Sequence, residues 1–305
     1  MKSLKGYILI LIATVFWGIA ATIAKILFSQ NIQPLEIAQT RVTFSAIMMF
    51  TYFLLFKREY LKVETKDLFM FLLLGIIGIA GSNFTYYFTI QQTNVATAIL
   101  MQYMAPLLVF IYAAFSKSES LNLIKLSAAV LSIFGCYLVV GGKDFSFQNI
   151  SRVGLLSGVA SAFCWAFANV YLKIILKRYS VWTALVYSFI GGTIFWLFIN
   201  NPAIYFDKYP GMQSWYVFII FAIISVLIPH TLYFNGLRYI TPSRAIITGT
   251  FEPIVAIVSS FVLLGDILNF IQLIGAILVL TAIVILQIKK EELQEIKVEK
   301  TQYSN

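Results

Sequence analysis

The sequence predicts an all-α integral membrane protein, with ten transmembrane helices arranged as a 5+5 inverted-topology repeat. Three observations predict it. The 305-residue chain is 60% apolar and only 11% charged, against about 45–50% and about 25% in ordinary globular chains. Apolar runs of the roughly 20 residues that a bilayer crossing needs follow one another with gaps too short for a soluble domain. The second half repeats residues of the first at a near-constant offset. So large an apolar surplus cannot hide in one water-facing core, which excludes a disordered chain and speaks against a soluble enzyme. The net charge of +9 does not point to nucleic acid, because the basic residues sit between apolar runs.

The first span, 6–28, follows Lys2 and Lys5. It is longer than the roughly 7–15 residues of a signal-peptide core and has a counterpart later in the chain, so it is expected to be retained. The second, 34–56, carries Arg41, whose depth suggests the outer boundary of the bilayer, within reach of Glu36. The third, 68–91, presents Gly75, Gly78 and Gly81 on one face for close packing. The fourth, 93–115, contains Pro106, and the fifth, 122–141, contains Cys136. The sixth, 152–173, has Gly154 and Gly158 as a packing pair and also Cys164; both cysteines read as small packing residues, not a disulfide framework. The seventh and eighth are 180–200 and 213–237, the latter holding the single histidine, His230. The ninth, 242–264, contains Glu252 and Pro253; the tenth is 269–288, and a charged tail follows from Lys289.

Lys and Arg set the orientation. With the N-terminus in the cytosol, 17 of the 22 basic residues fall on the cytosolic side; Lys143, Arg152 and Lys208 fall on the other, and Lys25 and Arg41 lie within spans. Both termini are therefore expected in the cytosol of a cell-membrane protein.

The repeat pairs Gly6, Trp17, Lys25 and Ile26 with Gly154, Trp165, Lys173 and Ile174 at an offset of 148. Further on, Tyr86 pairs with Tyr233, Pro106 with Pro253, Leu121–Leu126 with Leu268–Leu273, and Glu119 with Asp266, at 147. The expected units are residues 1–147, 148–288 and a tail 289–305. Five spans per unit is odd, so the second unit enters the membrane from the opposite side, an arrangement that lets two halves open a central site alternately.

The motifs resemble the EamA-type transporters of the drug/metabolite transporter superfamily. Phe16–Gly18 (FWG) looks like that family's opening motif. Pro34–Ala46 resembles its second helix, Asn94–Phe115 its fourth, and Thr241–Asp266, with Glu252–Pro253, its ninth. The family usually ends that last pattern with Gly-Glu, where this chain has Gly265–Asp266. The resemblance implies ten helices, cytosolic termini, a central cavity and transport of small organic metabolites. It names no single substrate, since fold does not fix function.

Glu252 is the sharpest candidate for coupling or charge recognition. It lies eight residues beyond Arg244, about 12 Å deeper at helical rise. A carboxylate there is costly unless it faces a cavity, takes a proton or finds a cation. Its repeat partner is Ala105, so folding does not need the charge in both halves. His230 is a candidate proton relay, and Arg41 a candidate partner for an anionic group. Pro106 and Pro253 each free a carbonyl four residues earlier, at Gln102 and Gly249; such a carbonyl can bind ligand, or the kink can act as a hinge. The candidate cavity residues are Trp17, Asn83, Tyr86, Gln102, Tyr103, Trp165, Asn169, Tyr233 and Thr250. They would combine apolar walls with a few hydrogen-bond partners.

The expected function is secondary transport, by alternating access and coupled to protons or another gradient, of amino acids or related amphipathic compounds in the outward direction. The alternative is import of a small organic cation such as a quaternary amine, held by aromatic rings and Glu252. The expected partners are a small-molecule substrate, the lipid bilayer and protons. An enzyme is not expected: all four aspartates (Asp67, Asp144, Asp207, Asp266) lie at span ends or in loops, and no phosphate-binding loop motif is present. No cofactor or metal is expected, since His and Cys form no cluster.

Overall fold

The computed structural model describes residues 2–93, 95–116, 123–141, 151–265 and 270–285. The charged tail 289–305 and the Glu119/Asp266 pair lie outside the described residues. No strand occurs among those described. The helices are α1 (Lys2–Ser29), α2 (Pro34–Phe56), α3 (Thr65–Gln92), α4 (Val95–Gln102), α5 (Ala105–Ser116), α6 (Leu123–Gly141), α7 (Arg152–Ile175), α8 (Val181–Ile199), α9 (Ile204–Lys208), α10 (Met212–Leu237), α11 (Pro242–Gly249), α12 (Glu252–Leu264) and α13 (Phe270–Ile285).

Among the described residues, six stretches are helical, long and apolar enough to cross a membrane: Ser3–Ser29, Thr65–Gln92, Arg152–Ile175, Val181–Ile199, Met212–Leu237 and Pro242–Leu264. Shorter apolar helices cover Thr97–Ala113, Leu123–Val139 and Phe270–Ile285. The chain is thus a multi-pass membrane protein built of helices.

Helix starts follow local chemistry. Ser180 Oγ accepts the Thr183 N–H at 3.1 Å at the head of α8, and Ser151 Oγ accepts Gly154 N–H at 3.4 Å at the head of α7. At α2, Pro34 occupies the first turn, and Glu36 Oε2 accepts the Gln33 N–H at 3.0 Å.

The fourth and ninth expected spans are each broken in two. α4 stops at Gln102 and α5 starts at Ala105; α11 stops at Gly249 and α12 starts at Glu252. Pro106 and Pro253 therefore sit in the first turn of a new helix, where a missing N–H costs no internal bond. The outcome is a tightened turn within each otherwise continuous apolar span, with Thr250 and Phe251 still right-handed and bonded back to Ile247 and Thr248, which is the local form the expected proline kink takes.

Packing is reciprocal. α1 lies against α10, α11 and α12, while α7 lies against α3, α4 and α5. Two crossings depend on bare backbone. A Cβ on Gly75 of α3 would come within 2.5 Å of the Ser188 carbonyl oxygen and 2.8 Å of the Gly191 Cα of α8. One on Gly275 of α13 would come within 2.6 Å of the Gly135 carbonyl oxygen of α6. Small residues at helix crossings are how membrane helices gain contact without a solvent-driven hydrophobic term. The outer surface carries large apolar side chains, among them Phe115 and Phe198, each 87% exposed. A face of that kind needs lipid against it.

Candidate substrate cavity

The site begins with the two helix breaks. Gln102 and Gly249 end α4 and α11, and Ala105 and Glu252 begin α5 and α12, so both breaks fall at an offset of 147 residues. They meet in space: Tyr103, in the turn between α4 and α5, donates its hydroxyl to Glu252 Oε2 at 2.9 Å and lies 3.3 Å from the Gly249 carbonyl oxygen. One proton serves two acceptors, and the nearer carboxylate is the stronger one. The carbonyl freed by Pro253 thus has a partner within the protein. Glu252 stands in the first turn of α12, where the helix dipole favours negative charge.

These ends open onto a cavity of about 100 Å³. Glu252, Gln102 and Tyr103 line it at the breaks, with Arg41 from α2, Asn83 and Tyr86 from α3, Trp165 from α7 and His230 from α10. Trp17 of α1 forms an edge-to-face pair with Trp165 at 5.7 Å and meets His230 at 5.2 Å, contacts each worth about 0.5–1.5 kcal/mol beyond burial.

Arg41 lines the cavity and does not pair with Glu36. Its guanidinium donates to Asn83 Oδ1 and lies 4.8 Å from the centre of the Tyr87 ring. Asn83 in turn donates to the Ile79 carbonyl at 2.7 Å. Glu36 is taken by Lys208 and Tyr209. No ion pair joins Arg41 to Glu252, so the cavity is lined by a cation and a carboxyl group that are not in direct contact.

The His230 tautomer follows from its partner. Nδ1 lies 3.0 Å from the Val226 carbonyl oxygen, which can only accept, so Nδ1 carries the hydrogen and the neutral ring keeps Nε2 as an acceptor. Wide π-helical turns precede the polar residues of both helices, at Leu74–Gly81 in α3 and Ile223–Leu227 in α10. Such turns redirect the side chains that follow and often occur at functional sites.

Three of the expected cavity residues lie behind the wall. Asn169 donates to the Trp165 carbonyl at 2.8 Å and accepts the Tyr233 hydroxyl at 2.5 Å. Tyr233 is buried, its ring 5.2 Å from Trp17 and 5.5 Å from Trp165, so it supports the indoles. Thr250 is buried and bonds the Ile247 carbonyl at 2.6 Å. Pro106 and Pro253 shape the breaks without lining the cavity. Residues not anticipated include Ala20, Ala21, Ala24 and Phe28 of α1, along with Ser82 and Tyr87. The signal was present in α1: positions 17, 20, 21, 24 and 28 share one helix face, and three of them are alanine.

Known proteins resemble this chain along its length. The profile of the EamA-like transporter family matches residues 4–141 and again 152–288. The uncharacterized inner membrane transporter YicL of Salmonella typhimurium is 23% identical over 288 residues, covering 93% of this chain and 95% of that protein. The threonine/homoserine exporter RhtA of Escherichia coli is 25% identical, covering 89% of this chain and 88% of its own. The riboflavin transporter ImpX of Fusobacterium nucleatum is also 25% identical, covering 93% and 97%. A solved crystal structure whose description names no activity has the same fold, with a TM-score of 0.72 at 18% identity over 96% of this chain and 98% of that one.

Proposed function

The chain belongs to the EamA-like transporter family, and from that premise we propose that it exports amino acids or closely related small zwitterions by gradient-coupled alternating access. The observation that carries this reading is that Arg41 and Glu252, a cation and a carboxyl group not joined in an ion pair, line the same cavity. A zwitterion brings a carboxylate for Arg41 and an ammonium for Glu252. A charged group within the bilayer is costly, so it is expected to face a cavity or a partner. The free volume of about 100 Å³ is well below the roughly 300–1,000 Å³ of pockets that hold drug-sized ligands. That supports a small cargo. The His230 Nε2 acceptor and the Gln102 amide add neutral hydrogen-bond partners for a hydroxyl or ammonium.

Glu252 is the only carboxyl among the lining residues, which makes it the group to carry a proton in exchange for substrate. The paired helix breaks, the reciprocal packing of α1 and α7, and the twofold family match support two five-helix halves, 1–147 and 148–288, of opposite topology with both termini in the cytosol. The cation reading has the indoles and Glu252 in its favour, but Arg41 on the same wall repels a cargo with positive charge alone.

The test is flux into proteoliposomes under an imposed proton gradient, with labelled threonine, homoserine and small neutral amino acids, and choline as the cationic comparator. Saturable, gradient-dependent amino acid flux with no choline flux is expected. Choline flux without amino acid flux would establish the cation reading instead, and non-saturating flux would indicate a channel.

A further inference from the structure

Away from the cavity, two clusters of the same chemistry join early and late parts of the chain. In the first, Glu36 Oε1 accepts from Lys208 Nζ at 2.6 Å, and Glu36 Oε2 accepts from the Tyr209 hydroxyl at 2.7 Å. In the second, Asp67 Oδ1 accepts from Arg178 at 3.0 Å, and Asp67 Oδ2 accepts from the Tyr179 hydroxyl at 2.5 Å. Each cluster is a carboxylate whose two oxygens are shared between a cation and the tyrosine that follows it. Both tyrosine hydroxyls remain donors at neutral pH. Burial and the Glu36 carboxylate push Tyr209 above its ordinary range, and the hydrogen bond to Asp67 pushes Tyr179 upward.

The clusters sit at opposite ends of the bundle. Glu36 is at the start of α2, a helix of 23 residues and therefore about 34 Å long. Asp67 follows the turns after its far end. α8 runs the other way beside it: it begins just after Tyr179, and the Asn200 that follows it accepts from Gln39 of α2 at 3.0 Å. The carboxylates are the less exposed members, with side chains 13% and 6% exposed, while Lys208 and Arg178 are 38% and 47% exposed.

We infer that the Glu36–Lys208–Tyr209 and Asp67–Arg178–Tyr179 clusters are two latches, one at each end of the protein, that open in alternation. Both are closed in this structure. Rocking one set of helices against the other must separate partners at one end, while the intact latch at the other keeps the cavity sealed. Because each latch pairs a charge with a neutral hydroxyl on one carboxylate, losing the charge weakens the hold without stripping the carboxylate of every donor.

The inference rests on alternating access but is tested without a substrate. An Ala21→Cys reporter on the cavity wall is placed in the full chain with Cys136→Ala and Cys164→Ala, in proteoliposomes, and labelled with an impermeant maleimide from each face. Glu36→Gln is expected to raise labelling from the Lys208 face about tenfold and lower it from the Arg178 face. Asp67→Asn is expected to do the reverse. Lys208→Met and Arg178→Met keep both carboxylates, must give the same two opposite patterns, and decide the matter if a carboxylate variant does not fold. Unchanged labelling, or the same direction of change at both ends, overturns the latches while leaving gradient-driven flux intact. Opposite shifts without any flux would keep the latches and overturn the transport reading.

Discussion

Tyr103 and Glu252, separated by 149 residues in sequence, are joined by a 2.9 Å hydrogen bond across the ends of two broken helices. The bond ties the turn between α4 and α5 to the first turn of α12, and it fixes the carboxylate on the cavity wall. Four predictions follow from this geometry and from the packing around it.

Tyr103→Phe keeps the ring and removes the hydroxyl that, among the described residues, reaches Glu252 and the Gly249 carbonyl. A bond of this kind to a charged group contributes about 1–2 kcal/mol. The variant should insert normally, unfold at lower temperature in detergent and lose most of its flux. Flux and melting temperature equal to the parent would mean that the bond has no role.

Glu252→Gln removes the charge but keeps an acceptor for Tyr103. Gradient-driven flux should fall by at least about tenfold, while substrate counterflow, which needs no net proton movement, persists only at a higher half-saturating concentration, because the amide keeps an acceptor for the ammonium but not the charge. Assay of both modes in the same vesicles is decisive, because parental flux with an unaltered pH response removes Glu252 from coupling.

Gly75→Ala places a methyl group against backbone of α8, at 2.5 Å from the Ser188 carbonyl oxygen. Overpacking of this kind costs about 1–3 kcal/mol. Gly211→Ala has nothing within 4 Å of the added carbon and should be neutral or slightly stabilising. Thermal unfolding of the two purified variants should separate them clearly.

Gln102→Cys and Thr250→Cys each lie beside one of the two breaks, yet Gln102 lines the cavity and Thr250 is 0% exposed. Maleimide should modify the cysteine at 102, with protection by bound substrate, and spare the one at 250. Equal labelling of both would contradict the cavity wall described above.

Much of this protein is legible in one dimension. Apolar runs separated by basic gaps specify a chain that cannot fold in water alone, because no core of this length hides so much hydrocarbon. Pro106 and Pro253 mark the places where the two spans are interrupted, since a residue without an N–H leaves the carbonyl four residues earlier without its helical donor. Glu252 stands out because a charge deep in an apolar run has to be compensated by something else.

Other features were settled only when distant segments met. Counting residues along α2 gives Arg41 a depth but no neighbours; those are supplied by Asn83 and Tyr87 of α3, beside which it lines the cavity. Asn169 and Tyr233 looked like lining residues and instead bond each other behind Trp165. The alanines of α1 carried no chemical mark, and they became a wall because the helices around them left space on that face. Periodicity along a chain shows which side chains share a helix face, whereas the neighbours that face meets depend on how all the helices pack together.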